Sequence, residues 1–82
     1  MTNEEMYRQL GLNIAYYRKL RHLTQEQLAL KTGITRAFLG HIEAPNMTVS
    51  FSIATVFDIS RALEIEPKVL FEFHENGSET KE

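Results

Sequence analysis

Leu23-Thr24-Gln25-Glu26-Gln27-Leu28-Ala29-Leu30-Lys31-Thr32-Gly33-Ile34-Thr35-Arg36-Ala37-Phe38-Leu39-Gly40-His41-Ile42-Glu43 is the stretch that decides the fold. Thr24 supplies an N-cap hydroxyl. Gln27, three residues later, can reach back to the cap N–H, and the two together make a capping box. A helix is predicted from Gln25 to about Thr32. Gly33 falls where the chain leaves that helix, a place that favours the left-handed conformation glycine adopts without a Cβ penalty. Thr35 is the next cap candidate. A further helix of about two turns follows over Arg36 to Glu43, with Leu39 and Ile42 turned inward at i, i+3 spacing. Pro45 disfavours helical geometry at Ala44, so this helix ends at or just after Glu43.

Upstream, Met6, Leu10, Ile14 and Tyr17 recur at helical spacing and predict a first helix from Glu5 to about Arg21, ending near His22. Leu12, Tyr16 and Leu20 widen its apolar stripe and predict packing on more than one side. Downstream, Ala44 to Phe51 reads as a loop, with Met47, Val49 and Phe51 closing the core. Ser52 caps a fourth helix whose buried stripe is read as Ile53, Val56, Phe57, Ile59, Ser60 and Leu63, with Asp58 and Arg61 outside and an end near Glu64. Pro67, preceded by Glu66, opens a short fifth helix carrying Val69, Leu70, Phe71 and Phe73 as apolar residues. The expectation is an all-α, five-helix domain over residues 1–75 with a flexible tail over 76–82.

At 82 residues, 43% hydrophobic and 24% charged, the chain has the composition of one folded domain. It contains no cysteine, which excludes disulfides, thiolate metal sites and cysteine nucleophiles, and favours an intracellular reading. Met1 to Glu5 lacks the basic and apolar regions of a signal peptide, and no apolar run approaches the ~20 residues that span a bilayer. A cytoplasmic location with no membrane partner is expected. His22, His41 and His74 lie on different elements, with no carboxylate at metal-ligand spacing and no nucleophile-base arrangement. Neither catalysis, a metal, a cofactor nor a small-molecule ligand is expected. The net charge of −2 conceals an asymmetry. Arg18, Lys19, Arg21, Lys31 and Arg36 face Glu26 alone between residues 18 and 41, whereas acids dominate from Asp58 onward. The basic half coincides with the two capped helices, as a phosphate-contacting surface requires.

Two helices crossing over a short turn need a small residue where they touch, and Ala29 is placed to provide it. Leu28, Ala29, Ile34, Leu39 and Ile42 form the predicted seam. An ordinary helical hairpin would want the same residues, so the outer surface carries the distinction. Gln25 and the group Thr35, Arg36 and Ala37 place an amide, a hydroxyl and a guanidinium at helix N-termini that already favour phosphate. That is the layout of a helix-turn-helix, which presents the start of its second helix to a DNA major groove.

These residues resemble the lambda-repressor-like (XRE-type) helix-turn-helix regulators. The resemblance runs from Leu10-Gly11 through Ile14 and Arg18, Leu23-Thr24-Gln25, Leu28-Ala29, Gly33-Ile34-Thr35 and Ile42-Glu43, then Ile59 to Ile65 and on to Leu70-Phe71. It implies a five-helix domain whose helix three reads bases, a phosphate held by Gln25, and dimers on paired half-sites. Arg36 is the leading base reader, since a guanidinium can bond guanine O6 and N7 together; a phosphate contact is its other role. Ala37 falls on a base-reading position of the family, where its methyl suits a thymine methyl. His41 is open between a base, a phosphate and a solvated surface position. Phe38 stands where relatives often carry a tyrosine along the DNA backbone, so it is read as a partly exposed contact, with core packing as the alternative.

Gly40 either lets the helix approach the groove closely or relieves crowding against a neighbouring helix. By the resemblance, Arg18 and Glu43 form a structural ion pair between helices one and three. Lys31 and Arg21 are read by default as solvated charges, with phosphate contact as the alternative. The loop after Glu43 departs from the family pattern, being longer and stiffened by Pro45; there Asn46, Thr48 and Ser50 are candidates for flanking phosphates.

The function expected is sequence-specific double-stranded DNA binding as a repressor-like transcription regulator. A homodimer is expected because one short helix reaches few base edges. Ile65, Leu70, Phe71 and Phe73 are candidates for the dimer surface. The competing expectation is an antitoxin or accessory module that uses the same fold to hold a protein partner through its acidic C-terminal half.

Overall fold

Residues 1–73 are described by a computed structural model, and among them the chain forms five helices and no strand: α1 (Asn3–Leu20), α2 (Gln25–Thr32), α3 (Arg36–Glu43), α4 (Ile53–Leu63) and α5 (Pro67–Leu70). The boundary expected after residue 75, the tail 76–82 and His74 lie outside the described residues.

Local chemistry accounts for the helix starts. Thr24 accepts from the Gln27 N–H at 3.0 Å while Gln27 Oε1 accepts from the Thr24 N–H at 2.8 Å, completing the capping box that opens α2. Thr35 and Ser52 cap α3 and α4 in the simpler way, accepting from the N–H of Phe38 and of Thr55. α1 begins two residues before the sequence reading put it. A second capping box, Thr2 with Glu5, fixes that start, although the apolar periodicity begins only at Met6.

The helix ends are less uniform. Gly33 closes α2 at φ 80°, in the left-handed region. α1 and α4 reach the same turn without glycine, through His22 and Glu64, both at φ 60°. In each, two backbone bonds recapture the last carbonyls: Leu23 N to Arg18 O at 3.1 Å with His22 N to Lys19 O at 3.0 Å, and Ile65 N to Ser60 O at 3.0 Å with Glu64 N to Arg61 O at 3.1 Å. This is the Schellman arrangement, in which the apolar residue after the turn folds back on the helix. Leu23 and Ile65 both pack against the core.

The core draws Leu10 and Ile14 from α1, Leu28 and Ala29 from α2, Leu39 and Ile42 from α3, Val56, Ile59 and Leu63 from α4 and Leu70 from α5. Each large aliphatic side chain buried in this way is worth about 1.5–3 kcal/mol. α1 packs on α3, α4 and α5, while α2 lies between α3 and α4. The closest approach is at Gly11, where a Cβ would lie 1.9 Å from the Ile42 carbonyl oxygen, so α1 and α3 touch backbone to backbone.

Several apolar expectations are corrected. Leu12, Tyr16 and Leu20 do not bury: Tyr16 is 59% exposed, and all three lie on the face of α1 opposite Leu10, Ile14 and Arg18. α1 therefore packs on one side only. Ile53 and Phe57 are likewise half exposed on α4, because the buried face there is fully used by Val56, Ile59, Ser60 and Leu63. Met47 is exposed in the loop, whereas Val49 and Phe51 do pack against the core. Ile34 is half-buried rather than central to the seam, and α5 stops at Leu70, leaving Phe71 and Phe73 beyond it.

Candidate nucleic-acid interface

α3 is the element on which the expected site turns, and it is held at both ends. At its start Thr35 Oγ1 takes the Phe38 N–H at 3.0 Å, and the first turn carries no acidic side chain, so the remaining N–H groups and the positive end of the helix dipole are available to an anion. At its end Glu43 is buried and bonded by Arg18 of α1 through two parallel contacts, Arg18 Nε to Glu43 Oε2 at 2.8 Å and Arg18 Nη2 to Glu43 Oε1 at 3.0 Å. The remaining Arg18 nitrogen, Nη1, donates to the Leu23 carbonyl at 2.7 Å, which ties the pair to the chain entering α2. Such bidentate geometry is the strong form of an arginine and carboxylate contact, and satisfying both groups offsets the cost of taking two charges out of water.

Gln25, the first residue of α2, joins this group: its Nε2 donates to Glu43 Oε1 at 2.9 Å. The two helices of the motif are thereby linked by a side-chain bond as well as by Leu28, Ala29, Leu39 and Ile42. Gly40 faces Gln25 across the helix pair. A Cβ there would meet only Gln25 Oε1, at 3.8 Å, an ordinary contact, so crowding is not the reason for this glycine.

Thr35 and Arg36 are exposed at the start of α3, and Ala37 and His41 are exposed on the side of the helix away from the buried Leu39 and Ile42. Phe38 is half-buried and packs against the core. Asn46 and Thr48 stand exposed in the following loop, and among the described residues no hydrogen bond ties either to the helix pair. The structure thus brings Arg18, Glu43, Gln25 and Gly40 together, leaves Thr35, Arg36, Ala37 and His41 exposed along α3, and leaves Asn46 and Thr48 exposed in the loop beyond it. Lys31 is exposed on α2.

Two polar residues have roles that the sequence reading missed. Arg21, read by default as a solvated charge, donates from Nε to the Leu63 carbonyl at 2.7 Å and from Nη2 to the Glu64 carbonyl at 3.0 Å, closing the end of α4. Asn13 Nδ2 donates to the carbonyls of Leu70 and Glu72 at 2.9 and 3.1 Å, closing the end of α5. Open carbonyls at helix ends need such donors, but nothing in the local sequence says which distant residue will supply them.

Two short capped helices joined by a left-handed glycine, with the outward side of the second exposed and its end locked to a long first helix, define a DNA-binding helix-turn-helix regulator of the lambda-repressor-like type. The chain belongs to the HTH_3 helix-turn-helix family, whose model matches residues 14–70. It is 36% identical over 62 residues to control protein C.SmaI of Serratia marcescens, across 74% of this chain and 71% of that protein.

Among solved structures it is similar to the restriction-modification controller protein C.AhdI of Aeromonas hydrophila, at TM-score 0.72 and 29% identity over 79% of this chain and 96% of that one. It is also similar to an HTH_3 family transcriptional regulator of Vibrio cholerae, at TM-score 0.76 and 31% identity over 85% of this chain and 38% of that one. A third similarity is to a chain of the SinR protein and SinI protein complex, at TM-score 0.71 and 26% identity over 85% of this chain and 71% of that one. The chain is a regulator rather than an enzyme. Among the described residues no helix is long and apolar enough to cross a membrane.

Proposed function

We propose that this regulator binds its operator with α3 in the major groove, acts in a repressor-like way by occupying that site, and does so as a homodimer on two half-sites about one helical turn apart. The observation that carries the reading is α3 itself: Arg36 and Ala37 at its capped N-terminus and His41 in its last turn are all exposed, on a helix whose Leu39, Ile42 and Glu43 are buried. Arg36 reads guanine through O6 and N7, Ala37 meets a thymine methyl, and His41 and Thr35 donate to a base or phosphate. Phe38, half-buried, lays its exposed edge along the DNA backbone. Asn46 and Thr48 bond flanking phosphates from the loop. The relatives named as control or controller proteins support a regulatory role of this kind.

The test is selection of bound sequences from random double-stranded DNA, repeated with Arg36→Ala and at several salt concentrations. A consensus with two-fold symmetry that blurs at one base position per half-site in the variant is expected. No enrichment with the unaltered chain would overturn the reading.

A further inference from the structure

We propose that Gln25 reads a base as well as holding a phosphate: its carbonyl oxygen, Oε1, accepts the exocyclic amino group of an adenine or cytosine through the opening left by Gly40. The proposal rests on the DNA-binding mode above.

Chemistry fixes the orientation of the Gln25 amide. Glu43 Oε1, 2.9 Å away, belongs to a carboxylate that also receives both Arg18 contacts, and an ionised carboxylate only accepts. The amide nitrogen must therefore face Glu43, and the amide oxygen must face the other way. That oxygen lies 3.8 Å from the point where a Cβ on residue 40 would sit, directly against α3. Among the described residues no hydrogen bond ends on it, yet no buried side-chain oxygen or nitrogen lacks a partner, so it remains open to solvent.

An acceptor in that place has a restricted set of partners. Phosphate oxygens are themselves acceptors and cannot bond it. In the major groove the donors are adenine N6 and cytosine N4, whereas guanine offers O6 and N7 and thymine offers O4 and a methyl. Oε1 therefore favours an amino-bearing base and disfavours guanine and thymine. The second Nε2 hydrogen stays available to a phosphate, which keeps the phosphate role intact. Gly40 fits the same picture. Glycine is unfavourable inside a helix, no neighbour within the domain requires it, and the atom that a side chain there would first cover is this oxygen.

The experiment uses the full chain and the duplex recovered by selection. Within one half-site each adenine is replaced in turn by purine, which lacks the 6-amino group, and each cytosine by 2-pyrimidinone, which lacks the 4-amino group. Expected is one position at which removing the amino group weakens binding about tenfold, the analogue that does so identifying the base. At that position Gln25→Met should be indifferent to the replacement. Gly40→Ala, which leaves the amide in place, should lose affinity for the natural duplex while the loss on amino removal shrinks. The proposal is overturned if Gln25→Met weakens natural and analogue duplexes by the same factor at every position, the behaviour of a phosphate contact alone. A chain that binds no duplex at all overturns the DNA-binding mode itself, which is a separate result.

Discussion

Gly11→Ala and Gly40→Ala are the same chemical change at two interior helix positions, and the structure gives them opposite signs. Replacing glycine by alanine inside a helix gains about 1 kcal/mol from backbone propensity wherever the methyl fits. At Gly40 it fits: the nearest atom outside the local helix is Gln25 Oε1 at 3.8 Å, so the gain should appear largely intact. At Gly11 the methyl would lie 1.9 Å from the Ile42 carbonyl oxygen and 3.0 Å from its carbonyl carbon. The obstacle is backbone, which cannot rotate aside. Relief requires α1 and α3 to separate by more than 1 Å, on the order of a full van der Waals overlap.

Arg18 and Glu43 join the same two helices, so the shift strains the bidentate contact as well. Overpacking of this kind costs about 1–3 kcal/mol, and more where backbone must move. The cost outweighs the propensity gain. Net destabilisation of about 2 kcal/mol or more is expected for Gly11→Ala, against stabilisation of up to about 1 kcal/mol for Gly40→Ala. Urea unfolding followed by far-ultraviolet circular dichroism measures both, as midpoints moving in opposite directions at similar slopes. Equal shifts of the same sign would show that the contact of α1 with α3 is not as close as described, and the reasoning would fail.

Three further outcomes follow from the same contacts. Arg18→Met leaves the Glu43 carboxylate buried with only Gln25 to serve it, and should cost about 3–5 kcal/mol, whereas the double variant with Glu43→Met should recover much of that loss; a double variant no more stable than Arg18→Met would refute the pairing. Glu64→Gly relieves a left-handed non-glycine residue while leaving the carbonyls that Arg21 bonds in place, so thermal unfolding should shift upward by an amount equivalent to at most about 1 kcal/mol; a downward shift would count against it. Asn46→Ala combined with Thr48→Ala should weaken binding by a similar factor on every duplex tested and reduce its salt dependence little, since neither side chain is charged. Unchanged affinity would remove the loop from the interface.

What could be read from the sequence was mostly what is encoded within four residues. Thr24 with Gln27, Gly33 and Thr35 are each local devices, and the bounds of α2 and α3 follow from them directly. The same device was present at Thr2 and Glu5, but it was overshadowed by an apolar pattern that begins later. Apolar side chains were a poorer guide, because Leu12, Tyr16, Ile53 and Phe57 have the right chemistry for a core and simply stand on the wrong side of their helices. Which face turns inward is decided by what packs there, and that is a property of the assembled chain.

Bonds spanning long stretches of sequence, from Arg21 to the end of α4 and from Asn13 to the end of α5, left no local signature. In the candidate site, Gln25, Arg18 and Glu43 could each be singled out. Their meeting at one carboxylate oxygen could not, since it depends on the angle at which α2 and α3 cross.

The division of labour along α3 has a consequence for how such a protein changes over time. Leu39, Ile42 and Glu43 are bound into the core, while Ala37 and His41 lie exposed on the opposite side and Arg36 is exposed at the helix start. Exchanging an exposed surface side chain that carries no special contact typically alters stability by less than about half a kcal/mol. On the proposed binding mode, new operator preferences are therefore within reach of single substitutions that the fold would not register, and selection could move this domain among target sequences without an intermediate that fails to fold.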